Sequence, residues 1–152
     1  MADLRPPAAG PNVTFDAPAY GQDRGEDGKD GELGEPVTPS SSDLARGAGA
    51  FAEISLKSGL SGAKEFSEQC HQRAAKSQSL READRCTAFD FTASYVDAEV
   101  SAETLNSPNA YFEAQGRQAE QVYRSVGLAP RAAGVRLAAV KRVVLPMIAG
   151  RG

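Results

Sequence analysis

The chain has 152 residues, 41% of them apolar and 24% charged, with a net charge of −3. That length fits one domain plus a tail, and the acidic excess excludes a chain drawn as a whole onto nucleic acid. Tryptophan is absent and six Phe with four Tyr are the aromatic residues, so the core must be small and rich in alanine.

Charge is distributed unevenly. Residues 1–35 hold eight acids and three bases, residues 36–120 twelve and eight, and residues 121–152 six bases and no acid. Residues 1–42 combine prolines, glycines and acids with few large apolar groups, so burial cannot offset ordering entropy and a disordered acidic tail is expected. Two patterns in it fail on inspection. Asp23, Asp27, Gly28 and Glu35 sketch a calcium loop, but Gly25, Asp30 and Gly34 occupy positions that need a ligand, an apolar residue and a closing glutamate. Gly25 to Pro36 runs as collagen-like triplets, too few and too poor in proline to hold a triple helix. Asn12-Val13-Thr14 is a glycosylation sequon only in a eukaryotic secretory pathway. Met1 to Pro7 has no apolar signal core, which points to the cytoplasm unless the two cysteines prove to be bridged.

Order is expected from about Asp43. Leu44 to Lys57 reads as a helix stopped by Gly59, with Leu60 beyond it. Gly47 and Gly49 weaken that helix, and the alternation Ala52 to Lys57 leaves a short strand open, though no partner strand is visible.

Ser61 to Val100 is an antiparallel helical hairpin. Ser79-Leu80-Arg81-Glu82 is a capping box, and Cys86, Phe89, Ala93, Val96 and Val100 follow at helical spacing. Ala63, Phe66, Cys70 and Ala74 line the first arm. Folding the arms about Gln78 sets Cys70 opposite Cys86, Phe66 near Phe89 and Asp90, and Ala63 opposite Ala93. The two sulfurs then form either a disulfide, worth about 3 kcal/mol for a loop of this size, or a pair of buried thiols.

After a connector over Ser101 to Asn106, Ser107 is expected to cap a helix with Pro108 at its first position. It should run to Val126 with Phe112, Ala119 and Val122 on one face, and end in Schellman style at Gly127 and Leu128. Pro130 opens a last helix, which Pro146 should end at Leu145. Arg136, Lys141 and Arg142 are scattered among its apolar residues, which suggests docking on the bundle with cations at the rim. The run Val143 to Gly150 is too short to cross a bilayer.

Several constellations could carry chemistry. Glu68-x-x-His71 is half of a di-iron motif, but His71 is the only histidine, and an exposed Glu68/His71 pair is the simpler reading. Cys70 and His71 point about 100° apart on a helix, against a shared zinc site and against a cysteine–histidine nucleophile. Asp90 and Asp97 share a face one step from the apolar seam, with Tyr95 beside them. They could work as paired carboxylates, although a solvated face is the ordinary reading. The basic end mixes its cations with apolar residues, unlike a membrane-surface helix.

Paired cysteines on a helical hairpin followed by Asp90 and Tyr95 resemble the small periplasmic helical domains of lysozyme-inhibitor type. The resemblance covers the hairpin alone and implies an exported, disulfide-stapled inhibitor. No residue role is carried over from it.

The expected fold class is therefore all-α, a bundle of four to five helices over residues 43–152. The expected function is that of a non-enzymatic interaction or regulatory protein with a protein partner, without cofactor, nucleic acid or membrane span. The alternatives are the exported inhibitor and a small enzyme using Cys70 or the Asp90/Asp97 face.

Overall fold

The computed structural model describes residues 38–149, which form five helices, with no strand among the described residues. The helices are α1 (Ser41–Ser77), α2 (Leu80–Thr104), α3 (Ala110–Glu113), α4 (Gln115–Ser125) and α5 (Pro130–Ala149). The expectations for residues 1–37, with their calcium-loop, collagen-like and sequon patterns, lie outside the described residues.

α1 begins slightly earlier than the sequence suggests because Ser40 is its N-cap, its hydroxyl accepting from Asp43 N at 3.4 Å. Residues 44–57 are helix, not strand, and Gly59 breaks the helix just beyond them. Its φ of 68° and ψ of −167° bend α1 in a region of backbone space open essentially to glycine. Gly47 has a packing reason: a β-carbon there would lie 2.4 Å from Arg85 O, so the missing side chain lets α1 approach α2.

α1 and α2 form the hairpin. Gln78 turns the chain in the left-handed conformation, and its side-chain amide donates to Ser125 O at 2.6 Å, tying the turn to the end of α4. Ser79 caps α2, accepting from Glu82 N at 3.1 Å. The reciprocal half of the capping box is not made. Glu82 instead accepts from Arg85 Nη1 at 3.1 Å, and Ser79 N donates to Ala74 O. α2 also runs on to Thr104 where a connector was expected, closed by Leu105 at φ 59°. Val100, placed on the seam by its spacing, is 50% exposed, because the seam has run past its partner helix.

The third expected helix is broken and starts later. Asn109, not Ser107, is the cap: its side-chain oxygen accepts from Tyr111 N and Phe112 N, so Pro108 stays outside the helix. Ala114 separates the short α3 from α4. α4 ends as expected, with Leu128 N donating to Tyr123 O and Gly127 N to Arg124 O, both at 3.0 Å. Pro146 does not end α5, which continues to Ala149. A proline inside a helix costs about 3 kcal/mol or more. Burial of Ile148 in the cluster with Leu44 and Val144, worth roughly 1.5–3 kcal/mol, offsets much of that cost.

Three small apolar clusters make the core. One surrounds Cys70, Cys86 and Tyr123; a second joins Leu44, Ala88, Val140 and Val144; a third is aromatic, around Phe51, Phe89 and Phe112. Phe89 stacks 4.6 Å from Phe66 and edge-on to Phe51 at 5.7 Å, so these rings do the work that tryptophan would otherwise do.

Candidate functional site

Cys70 and Cys86 form a disulfide, with Cα atoms 5.8 Å apart. The small neighbours Ala74 and Ala83, both fully buried, let the helices come this close. Beside the bridge lie two carboxylates of α2, Asp84 and Asp90, exposed by 1% and 0%. Six residues apart, they point about 120° from each other around the helix. Each therefore serves a different set of neighbours.

Asp90 faces α1 and α3. Ser67 donates to its Oδ1 at 2.6 Å, and His71 Nε2 lies 2.6 Å from its Oδ2. The Ser67 proton is given to the carboxylate, so the Tyr111 hydroxyl, 2.8 Å from Ser67 Oγ, donates to Ser67. A continuous chain of hydrogen bonds thus runs from Tyr111 through Ser67 and Asp90 to His71. Burial raises the Tyr111 hydroxyl above its usual range, with the charges of Asp90 and Glu68 adding to the effect.

Asp84 faces α4 and α5. Its Oδ1 accepts from the Tyr123 hydroxyl at 2.6 Å and from Arg136 Nε at 3.1 Å, and its Oδ2 from Arg136 Nη2 at 2.8 Å. Burial pushes the Tyr123 hydroxyl well above its usual range, and the adjacent Asp84 charge pushes it further. A third carboxylate, Asp43, is 2% exposed near the start of α1 and accepts from Arg81 Nε at 2.9 Å and Arg85 Nε at 3.2 Å.

Several sequence expectations change here. Asp90 is not on a solvated face but in the interior, held by two partners. His71 pairs with Asp90 rather than standing exposed beside Glu68, which the helical spacing from Ser67 to His71 explains: both residues face α2. Arg136 is not at the rim; it is 6% exposed and enters the bundle to meet Asp84.

Asp97 accepts from Asn109 N at 2.6 Å and so fixes the start of α3. Tyr95 lies on the other side of α2, packed near Phe91 at 6.4 Å and against the Leu44/Val140 cluster. Asp90, Asp97 and Tyr95 are therefore not brought together. Ser67, Asp84, Tyr111, Tyr123 and Arg136 were missed as polar-network residues. Arg136 had a signal, since it falls on the same stripe as Ala133, Val140 and Val144, where a charge needs a buried partner.

Among the described residues no group of three or more His, Cys, Asp or Glu is placed to hold a metal, and no helix is long and apolar enough to cross a membrane. Comparison of the chain with protein-family models, with curated proteins and with solved structures finds no match. The likeness to lysozyme-inhibitor-type domains thus rests on the hairpin residues alone.

Proposed function

We propose that the chain is a non-enzymatic helical interaction protein that works in a disulfide-permitting compartment. The observation that carries this reading is that the reactive groups of the interior consume one another. Cys70 is joined to Cys86, Asp84 is taken up by Tyr123 and Arg136, and Asp90 by Ser67 and His71. Each fastening joins helices, and the hydroxyls that sit beside the carboxylates, Ser67 and Tyr123, are fully buried. A thiol pair buried as a bridge favours an oxidising compartment over a reducing cytosol. An exported inhibitor is the narrower form of this reading.

One observation favours a second reading, a small enzyme. The His71 side chain is 19% exposed, and its Nδ1 makes no hydrogen bond with the described residues while Nε2 is held by Asp90. A carboxylate orienting a histidine is how a general base is prepared.

Two measurements test the choice. Protein isolated from its own source under thiol-blocking conditions should show no free thiol until it is unfolded and reduced. Affinity capture from the same compartment, with the full chain and with residues 1–37 removed, should retain one defined partner. Free thiols at Cys70 and Cys86 would remove the compartment argument. Turnover of an activated-ester panel that H71N abolishes, with the helical circular dichroism spectrum retained, would assign the chain to the second reading.

A further inference from the structure

We propose that the outward face of α5 is a docking surface for an acidic amphipathic helix of a partner protein; this rests on the interaction reading above. The face consists of Arg131, Val135, Ala138, Arg142 and Leu145, spaced 4, 3, 4 and 3 residues apart and all exposed. The opposite face, with Ala133, Val140 and Val144, is buried against the rest of the bundle. Val135 is 55% and Leu145 41% exposed, high for branched aliphatic side chains on a helix that already has a buried face.

Charge decides what can cover this face. Residues 121–149 contain no acid. Arg136 is used internally by Asp84, whereas Arg131 and Arg142 make no ion pair with a described residue. Arg131 and Arg142 are three turns apart, about 16 Å along the helix, with Val135 and Ala138 between them. A helix lying alongside could meet both with carboxylates at the same spacing and place small apolar residues between.

A bilayer fits less well. Arg142 sits in the middle of the apolar stripe between Ala138 and Leu145, where insertion would bury its charge, whereas an interfacial helix keeps its cations on the polar side. Five side chains make a small contact, at the low end of interface sizes, so micromolar and salt-sensitive association is expected.

The full chain should be titrated by fluorescence anisotropy with a labelled helical peptide carrying two glutamates three turns apart and leucine and alanine between them. Micromolar binding that weakens with added salt is expected. The double variant R131E/R142E should weaken it by about tenfold or more, and a peptide with lysines in place of the glutamates should bind that variant instead. V135S/L145S should also weaken binding, without changing the melting temperature.

Absence of binding, or affinity unchanged by charge reversal, would overturn the proposal. So would binding to vesicles containing phosphatidylglycerol but not to the peptide, or self-association of the chain that V135S/L145S abolishes. The interaction reading has its own readout: if affinity capture retains a partner that R131E/R142E still holds, the surface is wrong but the reading stands. If neither chain captures a partner, the reading itself fails.

Discussion

Asp84 and Asp90 sit on one helix, equally buried, yet they are compensated in different ways. Asp84 meets Arg136, whose guanidinium is always charged, and adds the hydroxyl of Tyr123. Asp90 meets Ser67, a neutral donor, and His71, whose ring is cationic only when protonated. The first node is a permanent ion pair sealed between α2, α4 and α5. The second is a hydrogen-bonded chain between α1, α2 and α3 that ends at two partly exposed side chains. The same residue type thus makes a fixed fastening on one side of α2 and a softer one on the other. Position around the helix decides which.

The largest expected effect comes from breaking the permanent pair. Arg136→Ala leaves the Asp84 charge buried with only Tyr123 to donate to it, and should cost about 3–5 kcal/mol in urea unfolding. That is a large share of what a domain of this size has. Reduction of the Cys70–Cys86 bridge comes next, at about 3 kcal/mol for a closed loop of this length. It should appear as a drop in melting temperature on the order of 10 °C or more. A melting curve indifferent to reductant would mean that the bridge contributes nothing to holding the hairpin.

Asp90→Asn is the counterpart of the Arg136 change and should cost less, about 2 kcal/mol, because the amide keeps an acceptor for Ser67 and leaves no unpaired charge. The comparison between the nodes breaks if Asp90→Asn is as damaging as Arg136→Ala. It sharpens if Asp90→Asn loosens α3 selectively, seen as faster amide exchange at Tyr111 and Phe112 with α5 unchanged.

Much of this architecture could be read from the chain, and the unread part has a common cause. The hairpin register followed from local rules: a cap at Ser79, stripes at helical spacing, and cysteines equidistant from Gln78. So did the Gly59 break and the Schellman end at Gly127. What local rules could not supply was the partner of a polar residue distant in sequence. Asp84 finds Arg136 across 52 positions and Asp90 finds Ser67 across 23. With no partner in view, a carboxylate beside an apolar seam reads as solvated and an arginine in an apolar helix as rim. The Ser107 misreading has the same origin. Ser107-Pro108 is the better local start, but Asp97, on the neighbouring helix, binds Asn109 N and moves the cap two residues on. The cost of Pro146 is offset in large part by Ile148, whose cluster draws on α1, α2 and α5 together.

The smallest expected effect separates the nodes through their tyrosines. At neutral pH Tyr111→Phe removes a bond to the neutral Ser67 hydroxyl and should cost about 1 kcal/mol, and Tyr123→Phe removes one to the Asp84 carboxylate and should cost roughly 1.5 kcal/mol. The distinction lies in alkali. Both hydroxyls are raised above the usual value by burial, Tyr123 further than Tyr111. The unfolded chain gives up these protons at about pH 10, while the folded chain still holds them. Above that pH the unfolded state binds fewer protons, so stability falls as pH rises; below it the contribution is fully present. Tyr123→Phe should therefore flatten the alkaline loss of stability, measured as urea midpoints from about pH 8 to pH 11. Tyr111→Phe should flatten it less, because that ring is half-buried and solvent can reach its anion. If Tyr111→Phe had the larger effect, the Asp90 chain would be the better sealed of the two, and the contrast between a fixed and a soft node would be reversed.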